Sequence, residues 1–385
     1  MGKRIRGDWD VARKVISEHS LASCLKPGRR FAVGALEGAL LSLLSLFCFV
    51  LVGYFDSYIP LYGEHSSNAS SYQSQMVSLI LESGAGESDG KGGLLSYAER
   101  AESYLKDITY TSLTKNGKSF SDLIYGNAKI LNEESDLPYR YFVLFKAGNE
   151  DSFDGGLSSG ASSYWEAFGG VKDYFEEGSG HQALKLENAE ALNEYFKNSS
   201  YASGREIAAK VKESYKKLCK TVVNDFQNHC LPYKRIYASF ASERNAIYLF
   251  KIVEALLCHF LSCLIYCFLL PFFLKGNVSL GKRLLKVELI HRDGTLLCWW
   301  ERLLRTLLIF AETLIVPSLM PLLFYGSAAS DLYTRAILGP FSLLALTIVS
   351  LALIVFSYTG CFYLRGKASW SEFIFRGKSV DGRED

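Results

Sequence analysis

The chain is predicted to be an α-helical membrane protein: a four-transmembrane-helix bundle with a cytoplasmic β-hairpin between spans two and three and an α-rich extracytoplasmic domain. Three observations predict this class. Residues 31–55, 246–274, 303–325 and 336–364 are each apolar over a length that crosses about 30 Å of hydrocarbon at roughly 1.5 Å per residue. Residues 56–245, between the first two, are polar, with 26 Asp and Glu against 20 Lys and Arg. Basic residues crowd the other connections, so a mean hydropathy near zero averages two different materials.

Residues 1–30 carry Lys3, Arg4, Arg6, Arg13, Lys14, Lys26, Arg29 and Arg30 against three acids, the pattern of a cytoplasmic segment. The run 31–55 is too long for the core of a signal peptide, and no small-residue cleavage site precedes Asp56-Ser57-Tyr58-Ile59-Pro60. It reads as a retained first span. Residues 275–302, with Lys275, Lys282, Arg283, Lys286, Arg292 and Arg302, and residues 365–385, with Arg365, Lys367, Arg376, Lys378 and Arg383, are basic again. Both termini and the 275–302 loop therefore belong in the cytoplasm, with residues 56–245 and the short loop 326–335 outside a cell membrane.

Inside 56–245 the apolar residues Leu95, Ala98, Ala101, Tyr104, Leu105 and Ile108 fall on one helical stripe, and 182–196 and 203–228 repeat that period. Gly-Ser-Asp clusters at 83–93 and 154–163 mark loops, and residues 139–146, Tyr-Arg-Tyr-Phe-Val-Leu-Phe-Lys, read as a strand. Cys219 and Cys230 are the cysteines expected outside. If the helix runs through both they lie about 16 Å apart along its axis, beyond disulfide reach. Leu231-Pro232 is the expected break before the second span.

The segment 276–300 alternates Val287, Leu289 and His291 with Lys286, Glu288 and Ile290 ahead of Asp293-Gly294, which is hairpin chemistry, and Trp299 and Trp300 follow at headgroup level. Lys282, Arg283 and Lys286 are candidates for binding anionic headgroups, a purely topological role being the alternative.

Ser279-Leu-Gly-Lys-Arg-Leu-Leu-Lys-Val-Glu-Leu-Ile, then Arg292-Asp-Gly and Arg302-Leu-Leu-Arg305, resemble the central signature of the RDD family of integral membrane proteins. The resemblance covers roughly 27–55 and 246–380. Its first motif, an Arg at the start of the first helix and an Asp seven residues on, matches Arg30 and Glu37, and its last Asp matches Glu372. Both aspartates are thus glutamates here, and Arg376-Gly377 stands where Gly-Thr is usual. The resemblance implies at most a proposed transport role, cation/proton antiport having been suggested for some members.

An acid inside an apolar span costs several kcal/mol unless it is paired, protonated or wetted. Arg30 and Glu37 lie seven residues apart on one helix face, about 10 Å along the axis, and Arg305 and Glu312 repeat the spacing in the third span. Were the two faces to meet, Glu37 and Glu312 could share a proton or a monovalent cation. The alternative keeps the arginines as interfacial anchors and holds each acid by hydroxyls or backbone. Glu254, with Lys251 three residues before it, and His259 would form the outer half of such a path, and Pro317 and Pro321 would kink the third span.

No phosphate loop, zinc spacing or nucleophile elbow occurs, so neither an enzyme, a cofactor nor a nucleic-acid partner is implied. Two functions remain: a secondary transporter or exchanger, which in so small a bundle would need a homodimer, or a membrane anchor or sensor whose extracytoplasmic domain binds a ligand, envelope component or protein.

Overall fold

The computed structural model describes residues 27–118, 122–176, 183–273, 278–291, 298–325, 336–338, 341–363 and 377–381. The chain is mostly helical and divides into two compact units, one of residues 66–244 and one of residues 1–65 with 245–385.

The first, polar unit is built on α2 (Pro60–Ser83, which enters it at Ser66), α3 (Tyr97–Lys115), α4 (Leu137–Arg140), α5 (Ala161–Phe168), α6 (Leu186–Lys197) and α7 (Ala202–His229). Helix α3 starts at a capping box, in which Ser96 accepts from the Glu99 N–H and Glu99 accepts from the Ser96 N–H. Its stripe of Ala101, Tyr104, Leu105 and Ile108 is buried where α3, α6 and α7 pack on one another. The Tyr104 and Tyr215 rings stack there at 3.9 Å.

The strand expected at 139–146 is instead α4 continued as a π-helical turn, Tyr141–Lys146. The reason is both local and tertiary. Asp136 caps the Tyr139 N–H and Pro138 sits in the first turn, where its missing donor costs nothing. The wide turn then buries Tyr141, Phe142 and Lys146 together, and Tyr141 and Lys146 both reach Asp225 of α7. Burial of that set overrides the β preference of the aromatic run. Cys219 and Cys230 are free and buried, with α7 unbroken between Cys219 and His229.

Among the described residues three helices are long and apolar enough to cross a membrane: Phe31–Gly53 within α1 (Pro27–Gly53); Leu231–Phe273, comprising α8 (Leu231–Cys263), a π-helical turn Leu264–Leu269 and Leu270–Phe273, which enters the second, apolar unit at Asn245; and Trp299–Met320. The last of these is interrupted. Helix α10 (Trp299–Glu312) ends at Thr313 and α11 (Ile315–Tyr325) begins two residues later. Pro317 has no N–H to give the carbonyl of Thr313, four residues back, so the break falls there. Ser350 stitches it, accepting from the Ile315 N–H and donating to the Glu312 carbonyl. The fourth expected span, 336–364, is helical only as α12 (Leu343–Tyr363), of which Leu343–Ser357 is the apolar part. Ahead of it β2 (Ala336–Leu338) pairs with β3 (Phe341–Ser342); a proline in the sequence here, Pro340, disfavours helix.

The hairpin expected after Lys286 is not found among the described residues. Strand β1 (Val287–His291), preceded by the short helix α9 (Leu280–Leu284), pairs antiparallel with β4 (Gly377–Asp381), Val287 facing Asp381 and His291 facing Gly377. Alternation allows a strand but does not choose its partner. The proposed turn at Asp293-Gly294 lies outside the described residues.

Candidate functional site

Helix α1 places Glu37, Leu41, Ser45, Phe49 and Gly53 at four-residue steps, hence on one face. The facing stripe of α8 carries Lys251, Glu254, Cys258, His259, Ser262 and Cys263, all buried, and continues to Tyr266. Phe49 packs with Ala255 and Cys258, and Leu41 with Cys263 and Tyr266, so the two helices run antiparallel along a seam of polar groups.

At the Gly53 end of the seam lies a buried triad. The Lys251 ammonium donates to Asp56 Oδ2 and to Glu254 Oε2, the latter at 2.7 Å, and stands 5.4 Å and 5.5 Å from the ring centres of Phe49 and Tyr62. The Lys251, Asp56 and Glu254 side chains are 10%, 6% and 5% exposed. Asp56 Oδ1 and Glu254 Oε1 are buried without a hydrogen-bond partner. Two carboxylates around one ammonium carry one excess negative charge, and burying it is costly unless a proton or a small cation joins the two orphan oxygens. The expected Lys251–Glu254 pair is present. Asp56, which completes it, follows directly after the apolar run, and that position was the signal in the sequence.

Midway, the His259 ring joins three helices. Its Nδ1 lies 2.9 Å from the Ser45 hydroxyl and its Nε2 2.9 Å from that of Thr313, at the break between α10 and α11. Each hydroxyl has one hydrogen, and these two also face helix carbonyls, Leu41 at 2.8 Å and Ile309 at 2.6 Å. A neutral ring has one N–H, so with both nitrogens bonded to the hydroxyls one of them must turn its hydrogen to the ring. The proton position on His259 is thereby tied to a hydroxyl rotor, a neutral arrangement consistent with its complete burial.

At the other end Glu37 accepts from the Ser279 hydroxyl, and the Lys282 ammonium stands 3.6 Å from its second oxygen. Tyr266 accepts from the Gly281 N–H at 3.0 Å, and a Cβ at Gly281 would lie 2.7 Å from Glu37 Cγ, so the α9 segment sits directly on Glu37. Arg305 lines the same cavity as Glu37. Glu312 takes its donor elsewhere, from the Ser357 hydroxyl of α12. The two carboxylates therefore have separate hydroxyl donors, Ser279 for Glu37 and Ser357 for Glu312. Of the basic cluster, Lys282 turns inward while Arg283 and Lys286 are exposed. The Arg30 side chain and Glu372 lie outside the described residues.

The polar unit has a buried ionisable group of its own. Asp136 is 1% exposed and accepts from the Tyr164 hydroxyl at 3.0 Å, and burial pushes its carboxyl up to about 7. The buried Arg100 guanidinium donates to the Ala85 carbonyl at 2.9 Å, with its Nε and Nη2 unpartnered. Burial raises Asp107 in the same direction, to about 6. With Asp136 raised, the folded chain holds a proton that the unfolded chain releases above about pH 4, so this group's contribution to stability falls as pH rises from about 4 to about 7 and is level above. The fall is at most about 4 kcal/mol. Urea unfolding followed between about pH 5 and about pH 8 should show that decline, and Asp136→Asn should flatten it; an unchanged slope in the variant would refute the assignment. Among the described residues no group of three or more His, Cys, Asp or Glu is placed to hold a metal ion.

Compared with family models, curated proteins and solved structures, the chain shows no match.

Proposed function

We propose that this is a multi-pass cell-membrane protein of the RDD type, with four spans and both termini in the cytoplasm, whose apolar unit exchanges protons against a monovalent cation. The observation that carries this reading is the Asp56–Lys251–Glu254 triad, where two buried carboxylate oxygens lack a partner around a single ammonium. A site with that charge count gains and loses one positive charge more readily than a satisfied ion pair does. His259 and Glu37 continue the seam toward the basic end of the helices, where Arg305 and Lys282 would hold the inner mouth electropositive. Intramembrane ionisable residues are characteristic of ion and proton pathways. A homodimer would supply the second wall of a pathway that one small bundle leaves open.

Purified protein in proteoliposomes loaded with a pH-sensitive dye tests this. A sodium or potassium gradient should move protons in the parent, and Glu254→Gln and Glu37→Gln, which keep shape and remove charge, should abolish the movement. A parent that moves no protons under any cation gradient would refute the exchanger. The separate core of the polar unit favours a second reading, an extracytoplasmic ligand-binding domain on a membrane anchor. That reading expects a silent parent and a ligand captured by residues 66–244.

A further inference from the structure

We infer that helix α9 with strand β1 forms a lid over Glu37 at the inner mouth of the seam, and that strand β4 of the C-terminal tail is the strap that holds it down. The segment 278–284 has two faces. Val278, Ser279, Gly281 and Lys282 are buried, while Leu280, Arg283 and Leu284 are exposed. The buried face lies on the end of the seam: the Ser279 hydroxyl donates to Glu37, the Gly281 N–H donates to the Tyr266 hydroxyl at 3.0 Å, and a side chain at Gly281 would begin 2.7 Å from Glu37 Cγ. The Glu37 side chain is left 20% exposed and lines one cavity with Ser279 and Cys267. A carboxylate so covered exchanges an ion or a proton with water on that side when α9 lifts.

What holds the lid is not α9 itself. A helix of five residues has too few internal hydrogen bonds to stand alone, so its position is set by its two ends. Glu37 and Tyr266 fix the first. At the second, Arg29 of α1 donates to the Leu285 carbonyl at 2.6 Å, and Leu285 packs with Val33 and Val287. Lys286 then turns the chain at a φ of +51°, a left-handed conformation that a lysine keeps where its surroundings impose it. Directly after it comes β1, whose five residues pair in register with Gly377–Asp381. A two-stranded ladder is itself marginal. Lid and strap therefore share one small set of contacts: releasing β4 frees β1, lets Lys286 relax and loosens α9 over Glu37. In this way the C-terminal tail sets how often Glu37 is reached. The inference takes its inner side from the topology proposed above but needs no flux, so the two readings fail separately.

The test follows the reaction of Cys267 with a charged maleimide in the full chain in nanodiscs, resolved by peptide mass spectrometry. In the same sample exposed Cys298 reports on the reagent, and buried Cys219 and Cys230 report on the folding of the polar unit. Gly281→Ala, which pushes α9 off Glu37, and deletion of residues 377–385 should each speed Cys267 labelling about ten-fold, with Cys298 unchanged and Cys219 and Cys230 still protected. Ser279→Ala, which removes one hydrogen bond, should give a smaller rise of about three-fold. An unchanged rate in Gly281→Ala overturns the lid, and a rise there with none on deletion of the tail overturns the strap. Should these chains lose the protection of Cys219 and Cys230, hydrogen exchange of the parent decides: residues 279–285 and 287–291 opening together with 377–381 supports the proposal, and exchange of 279–285 independent of 377–381 overturns it. A parent that moves no protons yet shows the labelling pattern above would sink the exchanger and leave the lid standing.

Discussion

Replacing Lys251 with methionine will destabilise the full chain by about 3–5 kcal/mol. The side chain is 10% exposed and its ammonium is the hydrogen-bond donor to both Asp56 and Glu254. Methionine fills similar volume, so the loss is electrostatic rather than a cavity: two acids remain buried beside each other and must either ionise uncompensated or take up protons. The charge count gives the expectation its sign. Glu254→Gln removes one of two negative charges and leaves the Lys251–Asp56 pair neutral, so it should cost far less than Lys251→Met, about 1 kcal/mol or below. The double variant Lys251→Met with Glu254→Gln should recover part of the single loss. Thermal unfolding in a fixed detergent orders the three chains. If Glu254→Gln proves the most damaging, the triad is a tight structural network and the excess charge drawn here is wrong.

In the polar unit, Asp225→Asn will cost a comparable amount, about 3–5 kcal/mol. Asp225 is the hub of a buried pair: Lys146 at 2.5 Å and the Tyr141 hydroxyl at 2.6 Å both donate to Oδ2, while the Leu157 N–H donates to Oδ1 at 2.8 Å. The Lys146 and Asp225 side chains are 5% and 4% exposed. Asparagine keeps the shape but strands the ammonium in a pocket whose other walls are Phe153 and Tyr141. Lys146→Met in the same background should restore part of the stability. The effect will also be local. Gly156 adopts a left-handed φ of +86° with no room for a Cβ, which would fall 2.2 Å from Asp225 Oδ1, so the loop around it is built on that carboxylate. Hydrogen exchange of the full chain should accelerate first in residues 154–160 and 141–146. Acceleration spread evenly over α3 and α6 would count against a pinning role.

These two sites differ in how visible they were. The stripe of α3 and the long period of α7 could be read directly, because a 3.6-residue repeat of apolar side chains is a local property. The 139–146 segment could not. Its aromatic run fits a strand by composition, and the choice of a π-helical turn came from Asp136 capping one end and from Asp225, 84 and 79 residues away, binding Tyr141 and Lys146 at the other. In the fourth run the described helix is Leu343–Tyr363, preceded by the short strands Ala336–Leu338 and Phe341–Ser342, a pairing that apolar composition does not announce.

For the candidate site, sequence spacing paired Lys251 with Glu254. It could not supply Asp56, which becomes a partner only when α1 and α8 run antiparallel and the chain turns at residues 56–58. Nor could it separate Glu37 from Glu312. A repeated seven-residue spacing fixes which face of each helix an acid occupies. Whether two such faces meet depends on packing, and here Ser279 and Ser357 approach from different segments and take one carboxylate each.

The amino-acid sequence by itself determined where helices form, which stretches can lie in hydrocarbon and which charges sit inside them, because period, length and composition act over a few neighbouring residues. Apart from the local Lys251–Glu254 pair, the tertiary structure decided how the buried charges are compensated. A carboxylate's partner is chosen by distance in space, and Asp56 with Lys251, Ser45 with His259 and Lys146 with Asp225 are dozens to hundreds of positions apart along the chain.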